Sequence, residues 1–325
     1  MIPSYSNGPH DLGGDCHAWL LPDGHWGESN TGLIRGDGES LLVDTHLDLA
    51  HTTQMLAAFS PLTAGHPIRT VVNTHSDGDH WFGNQLVAGP GVDIIASAAA
   101  AELMTPTGAM ELAKLWHRED QVGDFVRSVA GGFAPSGITA TPPTHTFSGS
   151  LELNIGGRQV RLTEVGPAHT PGDVLVYVPD AKVVFTGDIL FIGAAPLVWE
   201  GPLSRCIAAC DEILDLELVA IVPGHGPVTD KAGVQRVRDY LAYVEAEATK
   251  RFEAGLSMEE AIASIDLGAF ADMAEHERIA ANVLNRYQEL DPTRPRADRL
   301  EQFAHMADFH RAAGLNSHGT IGEGA

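Results

Sequence analysis

The first 230 residues alternate short apolar runs with glycine-rich turns, a pattern that predicts strands joined by tight turns and interspersed helices. The predicted elements of its first half are a hairpin with strands 31–35 and 40–43, a helix over 48–59, strands over 69–74 and 92–96, and a helix that begins at 98. Residues 105–145 have no clear periodicity, and we expect a helix followed by a flexible surface loop.

The second half of this region predicts two further hairpins, a helix and a last strand. The predicted strands are 151–155, 159–165, 174–178, 182–185 and 218–222, and the predicted helix is 203–214. Strands that fall into two groups with helices between them predict two sheets faced by helices.

After residue 230 the pattern becomes helical. Val234, Val237, Leu241 and Val244 form one apolar stripe, and Ser257 begins a capping box. Residues 276–313 predict more helix, broken at 291–295, and the chain from 314 onward predicts a frayed end. We therefore expect a mixed domain over 1–230 and a helical extension over 231–325 packed on it as a lid or dimer surface. The stripe permits a homodimer, and packing within the chain explains it equally well.

Composition narrows the classes of partner. Hydrophobic residues make up 44% of the 325 positions, which is enough for a packed core. Acidic residues outnumber basic ones 43 to 20, and the resulting charge of −23 disfavours nucleic acids and anionic membranes as partners. The start of the chain lacks the pattern of a secretory signal, and three cysteines do not make a disulfide framework, so we expect a cytoplasmic protein.

The predicted strand 69–74 leads directly into a cluster of metal-binding residue types. His75, Asp77, Asp79 and His80 stand within six positions. In an extended chain the side chains of His75, Asp77 and Asp79 would point to one face and that of His80 to the other. His80 could therefore bind a second metal. An acidic turn with two surface histidines is the alternative interpretation.

Three further strand ends carry single ligand candidates next to glycine. They are His169 within 166–173, Asp188 at the end of 185–188, and His225 within 221–227. Because a sheet can aim side chains from several strand ends into one edge cleft, these segments and the cluster predict a shared metal site.

In this order the four segments resemble the metallo-β-lactamase superfamily, over roughly residues 15–230. The resemblance implies an α+β fold, a four-layer αβ/βα sandwich of two packed mixed sheets with outer helices. It also implies a catalytic domain over 1–230 and a hydroxide between two metals as the nucleophile, with Asp79 and Asp188 as catalytic candidates. The implied ligands are His75, Asp77 and His169 for one metal, Asp79, His80 and His225 for the other, and Asp188 between them.

Asp77 departs from the usual His-x-His-x-Asp-His motif of that family. We expect two divalent ions, with zinc first. A carboxylate at this position makes the first site harder, which moves preference toward iron or manganese. It also resembles the flavodiiron branch, although no flavin domain is recognisable. Alternatively, Asp77 is too short to reach the metal.

These observations predict a metal-dependent hydrolase that cleaves an ester, thioester, lactone or amide of a small molecule. An iron or manganese oxygenase or oxidase on the same fold is the alternative, and a degraded, non-catalytic site is a third. His25, Trp26 and Trp199 are the weaker candidates for a substrate pocket. Other histidines, such as His46 and His276, are expected to be ordinary surface or helix residues.

Overall fold

The structure, a computed structural model, describes residues 5–314 and contains two mixed β-sheets. The first sheet has seven strands in chain order: β1 (Gly8–Gly13), β2 (Cys16–Leu20), β3 (Thr31–Arg35), β4 (Ser40–Val43), β5 (Ile68–Val72), β6 (Asp93–Ser97) and β7 (His145–Phe147). Strands β1 to β4 pair antiparallel, and β4 to β7 pair parallel.

The second sheet has five strands. They are β8 (Ser150–Ile155), β9 (Arg158–Glu164), β10 (Val174–Val178), β11 (Val183–Phe185) and β12 (Ala220–Val222). Each strand lies beside the strand that precedes or follows it in the chain. The pair β11–β12 is parallel and the other pairs are antiparallel.

Helices cover both sheets. They are α1 (Leu49–Thr63), α2 (Gly78–Trp81), α3 (Ala98–Leu103), α4 (Pro106–Leu115), α5 (Gln121–Ala130), α6 (Leu203–Asp215), α7 (Lys231–Glu253), α8 (Met258–Ser264), α9 (Ile279–Leu290) and α10 (Arg299–Ala313). None of the helices described is both long enough and apolar enough to cross a membrane.

The alternation of side chains along each strand creates the layers. In β3, Ile34 points into the core between the two sheets, whereas Leu33 points the other way and packs with Met55 and Phe59 of α1. On the far side, the second sheet packs against α6, α7 and α9. The expected four-layer α+β sandwich of two mixed sheets is therefore confirmed.

The apolar stripe of α7 faces inward. Val234, Val237, Leu241 and Val244 are at most 1% exposed and belong to the same core as α6 and α9. The stripe therefore packs against other helices of the same chain and does not support a homodimer interface. The homodimer and the domain boundary at residue 230 stay predictions.

Two regions differ from expectation. Strands β1 and β2 were not predicted, and residues 105–145 contain two helices, α4 and α5, instead of one before the loop that leads to β7. Helix α5 buries Val122, Phe125 and Val126, so this region adds to the core. Helix α10 ends at Gly314 in the left-handed conformation, and the frayed end predicted beyond it lies outside the described residues.

Candidate metal centre

Every predicted ligand lies in a segment that follows or joins strands at one edge of the sandwich. His75 follows β5, His169 lies between β9 and β10, Asp188 follows β11, and His225 follows β12. The chain after Asp77 turns into the short helix α2 instead of staying extended. The expectation that Asp79 points with His75 and Asp77 is therefore wrong.

The side chains converge in three overlapping groups, each with ligand atoms within 4.8 Å of one another. The groups are His75 with Asp77 and His169, His75 with His80 and Asp188, and Asp79 with His80 and His225. We call the first the first ligand group and the last the second ligand group. All seven residues predicted as ligands are thus brought together, in the two sets that the family resemblance implied.

Asp188 lies between the two groups. Its Oδ2 is 3.4 Å from Nε2 of both His169 and His225, and its Oδ1 is 3.1 Å from Nε2 of His80. Nε2 of His75 lies 3.8 Å from Oδ2. One carboxylate therefore contacts histidines of both groups.

The opposite nitrogen of each histidine is already engaged. Nδ1 contacts Thr74 Oγ1 at 3.0 Å in His75, Asp44 Oδ2 at 2.9 Å in His80, the Leu197 carbonyl at 2.6 Å in His169 and the His25 carbonyl at 3.2 Å in His225. Partners of this kind fix ring orientation in metal sites. Nε2 of His75, Nε2 of His80 and Oδ1 of Asp188 are buried and make no hydrogen bond within the described residues. These converging atoms fit a bound cation.

The electrostatics of the cluster favour the same conclusion. Burial opposes protonation of His225, but Asp188 and Asp79 raise its pKa to about 9. The same two carboxylates and Asp44 raise the pKa of His80 well above its usual value, again against burial. A buried cluster that stabilises positive charge so strongly suits divalent metal ions.

Two backbone positions must be glycine for the cluster to close. A side chain at Gly224 would collide with Oδ1 of Asp188, and one at Gly187 would collide with Thr74. Gly187 also has a φ of +50°, which favours glycine. The glycines noted beside the predicted ligands thus allow carboxylate and backbone to approach closely.

Asp77 reaches the first ligand group. Its Oδ2 is 3.1 Å from Nε2 of His169 and accepts a hydrogen bond of 2.8 Å from Trp199 Nε1. Its Oδ1 forms a 2.9 Å ion pair with Nη2 of Arg299. Burial opposes ionisation of Asp77, but Arg299 and His169 hold its pKa well below the usual range. Asp77 is therefore an ionised carboxylate with one oxygen on the ligand side.

The segment 197–200 connects this group to the C-terminal helices. The Leu197 carbonyl accepts a hydrogen bond from His169 Nδ1. The backbone amide of Trp199 donates to the His169 carbonyl at 3.0 Å. The Val198 amide donates to Asn282 of α9 at 2.9 Å, and Gln302 of α10 donates to the Trp199 carbonyl at 3.0 Å. Helices α9 and α10 thereby position two residues of the first ligand group indirectly.

His25 supports the second group through its backbone carbonyl. Its ring Nδ1 lies 2.8 Å from Oε1 of Glu275, which is fully buried and has a φ of +58°. Burial raises the pKa of Glu275 to about 7. Neighbouring Trp26 donates to Glu277 at 2.9 Å. The loop that carries His25 is therefore anchored to the segment before α9, a connection that sequence reasoning missed.

A small cavity of about 70 Å³ lies beside the metal centre. Trp26 and Trp199, two of the three residues predicted for the pocket, line it, whereas His25 is not among its lining residues. The other lining residues are Gly27, Leu47, Asp77, Gly78, Asp79, Phe82, Leu112, Leu115, Trp116, Ala130, Arg299 and Phe303. The walls are thus mainly apolar, and α4, α5 and α10 contribute to them.

Two of the histidines expected to be ordinary surface or helix residues are buried. His46 is fully buried, its Nδ1 lies 3.4 Å from Ser29 Oγ, and burial lowers its pKa to about 3. His276 is 6% exposed. Isolated histidines carry no sequence signal that separates these environments.

The central part of the sequence identifies the family. A family model described as the metallo-beta-lactamase superfamily matches residues 24–225. This chain belongs to the metallo-beta-lactamase superfamily. The matched range contains all seven ligand candidates and ends before α7, so Arg299 and the C-terminal helices lie outside it.

Curated relatives share parts of this chain. The "Probable metallo-hydrolase YqgX" of Bacillus subtilis is 38% identical over 32% of this chain, and the match spans about half (51%) of that protein. The "2,4-dinitroanisole O-demethylase subunit alpha" of a Nocardioides species is 25% identical over 88% of this chain and 73% of its own. The "Acyl-coenzyme A thioesterase MBLAC2" of Homo sapiens is 26% identical over 61% of this chain and 72% of its own.

Solved structures agree in fold. A metallo-beta-lactamase from Pontibacter korlensis superposes with a TM-score of 0.56 at 20% identity, covering 73% of this chain and 99% of that one. The sec-alkylsulfatase Pisa1 from Pseudomonas superposes with a TM-score of 0.66 at 16% identity, covering 89% and 51%. At these identities the likeness shows the superfamily fold alone.

Proposed function

We propose that this chain is a two-metal hydrolase that cleaves an ester, thioester, lactone or amide of a small molecule. The observation that carries the proposal is the convergence of seven metal-binding side chains beside an apolar cavity, with two buried histidine Nε2 atoms free of hydrogen bonds within the described residues. The names of two relatives, a metallo-hydrolase and a thioesterase, support hydrolysis, and the oxygenase alternative is not favoured.

The two ligand groups and Asp188 would hold the metals. When bound, divalent ions polarise a substrate carbonyl and lower the pKa of water toward 7, so that it attacks at neutral pH. Zinc is the first expectation. Because Asp77 replaces an imidazole by a carboxylate, the first ligand group accepts iron or manganese more readily than three histidines would.

Asp79 is the candidate for moving a proton. Its side chain is 14% exposed and lines the cavity, whereas Asp188 is 5% exposed and does not. Burial opposes ionisation of Asp79, but His80 and His225 lower its pKa. An ionised carboxylate at the cavity wall is placed to accept a proton from the attacking water and to pass it to the leaving group. Asp188, in contrast, contacts histidines of both groups and would be a shared metal ligand.

Aromatic rings make one wall of the cavity apolar. Trp26 and Trp199 lie with ring centroids 6.2 Å apart, and Phe303 lies 5.2 Å from Trp199. Exclusion of water strengthens electrostatic interactions with the substrate. These walls favour a small apolar group next to the bond that is cleaved.

The test is turnover of matched esters, thioesters and lactones by the metal-loaded protein and by two variants. Asp79→Asn preserves size and removes the proton acceptor, so we expect a loss of about 100-fold or more in kcat. His145→Ala, at an exposed histidine of β7, is the matched control and should retain wild-type turnover. Equal activity of the wild type and Asp79→Asn would contradict the role of Asp79, and no turnover of any of these substrates would contradict the hydrolase.

A further inference from the structure

The charges that line the cavity are unevenly arranged. Asp77, Asp79 and Arg299 are its charged lining residues, and both carboxylates belong to the ligand groups. Arg299 is thus the one cation among the lining residues of the described chain. It is supplied by α10, outside the part of the chain that matches the family.

Arg299 is positioned by two contacts and keeps some of its hydrogen-bond donors unused by them. Its guanidinium stacks 4.0 Å from the ring centroid of Trp199, and Nη2 pairs with Asp77. A guanidinium carries five N–H donors, and this ion pair uses part of them. The side chain is 33% exposed, so further donors are accessible to a ligand. The capping box of Asp298 and Glu301 fixes the first turn of α10, on which Arg299 lies.

Aromatic rings surround this cation. Phe303, one helical turn after Arg299, lies 5.8 Å from Trp26 and 5.2 Å from Trp199 between ring centroids. Because these rings already pack on one another, a flat apolar group would pack against the surfaces that they turn to the cavity. The enclosed volume of about 70 Å³ holds roughly two waters, so a compact ring would enter it only in part and extend toward the open side, where Arg299 is 33% exposed.

We propose that the site selects a substrate that joins a compact aromatic group to a carboxylate, with the carboxylate bound by Arg299 and the cleaved acyl bond at the metal centre. This inference rests on the proposed hydrolase function and specifies its substrate class. Arginine suits this role because its planar fork matches a carboxylate with two parallel hydrogen bonds. A cationic analogue of the same size would meet Arg299 with like charge and bind poorly.

The test uses three esters that share one acyl group: phenyl acetate, 4-carboxyphenyl acetate and 4-(trimethylammonio)phenyl acetate. Each is assayed with metal-loaded wild type, Arg299→Met and Arg299→Lys. Arg311→Met serves as the matched control, because Arg311 is an exposed arginine of the same helix. Ratios between esters within one protein are compared between proteins, so the different leaving groups cancel.

We expect Arg299→Met to lower kcat/KM for the carboxylate ester about 10-fold or more relative to phenyl acetate, mainly through KM. Arg299→Lys should retain part of the preference, and Arg311→Met all of it. Equal losses on the neutral and carboxylate esters would show that Arg299 acts only by holding Asp77 and would overturn the proposal. Unchanged ratios would overturn it too, while the hydrolase function would stand.

Direct binding separates this inference from the hydrolase function. Calorimetric titration of the metal-loaded proteins with 4-hydroxybenzoate, the product of the carboxylate ester, needs no turnover. We expect binding to the wild type and at least a 10-fold weaker Kd for Arg299→Met. If no ester is hydrolysed but this difference is found, the hydrolase proposal fails and the carboxylate site stands. Equal affinities for both proteins would overturn the carboxylate site.

Discussion

The two ligand groups are supported by different parts of the chain. In the second group, His80 and His225 are held by Asp44 and by the His25 carbonyl, all within the range that matches the family or close to its limits. In the first group, Asp77 is held by Trp199 and by Arg299, which belongs to a helix far outside that range. The residues that contact the second group directly thus lie within the superfamily range, and the C-terminal segment reaches them only through the Glu275 contact of His25, whereas the first group takes a direct partner from that segment.

Charge explains the difference. A histidine at position 77 would be neutral, whereas Asp77 brings a negative charge to a largely buried position, and a buried charge without a partner is strongly destabilising. Arg299 supplies the partner from across the chain. The unusual ligand and the C-terminal helices are thus parts of one arrangement, and each prediction below tests one side of the comparison.

The largest effect is expected for Asp188, which both groups share. Asp188→Asn keeps the shape but removes the charge that faces His75, His80, His169 and His225. We expect well over a 100-fold loss of metal affinity, beyond the effect of typical supporting residues. Competition with a fluorescent chelator measures it, and wild-type affinity would show that Asp188 is not a ligand.

Asp44 tests mainly the second group, because it contacts His80 directly and reaches His75 of the first group only through Thr74. It adopts a φ of +61°, and its Oδ2 contacts both Thr74 Oγ1 and His80 Nδ1. Asp44→Asn should weaken the affinity of one metal by about 10- to 100-fold while the other is retained. Metal-by-metal titration followed by native mass spectrometry distinguishes the two. Equal weakening of both metals would mean that the groups are not supported separately.

Asp77→His tests the first group. A third imidazole restores the softer ligand set, so we expect more zinc and less iron or manganese in protein purified from mixed-metal medium, with altered turnover. Because Arg299 loses its carboxylate partner in this variant, we also expect a lower melting temperature. An unchanged metal content and rate would contradict coordination by Asp77.

The smallest effect concerns stability around His25. Burial raises the pKa of Glu275 to about 7 in the folded chain, above the ordinary glutamate value of 4.5. A carboxyl with a raised pKa favours folding in its protonated form, so its contribution is lost as pH rises from about 4.5 through 7. Glu275→Gln should remove about 2 kcal/mol of that dependence, measured by urea unfolding of chelator-treated protein at pH 5 and pH 7. Parallel pH profiles of the wild type and the variant would contradict it.

The ligand cluster was predictable because strand-end motifs place each residue locally. The hairpin of β3 and β4 and the capping box at Ser257 were predictable for the same reason. Arg299, Asp44 and Glu275 were not, because each acts on a residue far along the chain; Arg299 and Asp77 are 222 positions apart. Their roles depend on how helices pack on the sandwich, which periodicity does not encode. Strand β1 was missed because its exposed positions alternate without an apolar run.

The most direct test of the two-group account is metal stoichiometry. Wild type and Asp77→Ala, both purified without added metal, would be compared by elemental analysis in moles of zinc, iron and manganese per chain. The account predicts about two metals for the wild type and about one for Asp77→Ala, with the second ligand group filled in both. One metal in the wild type, or two in Asp77→Ala, would contradict the claim that Asp77 completes a first metal site.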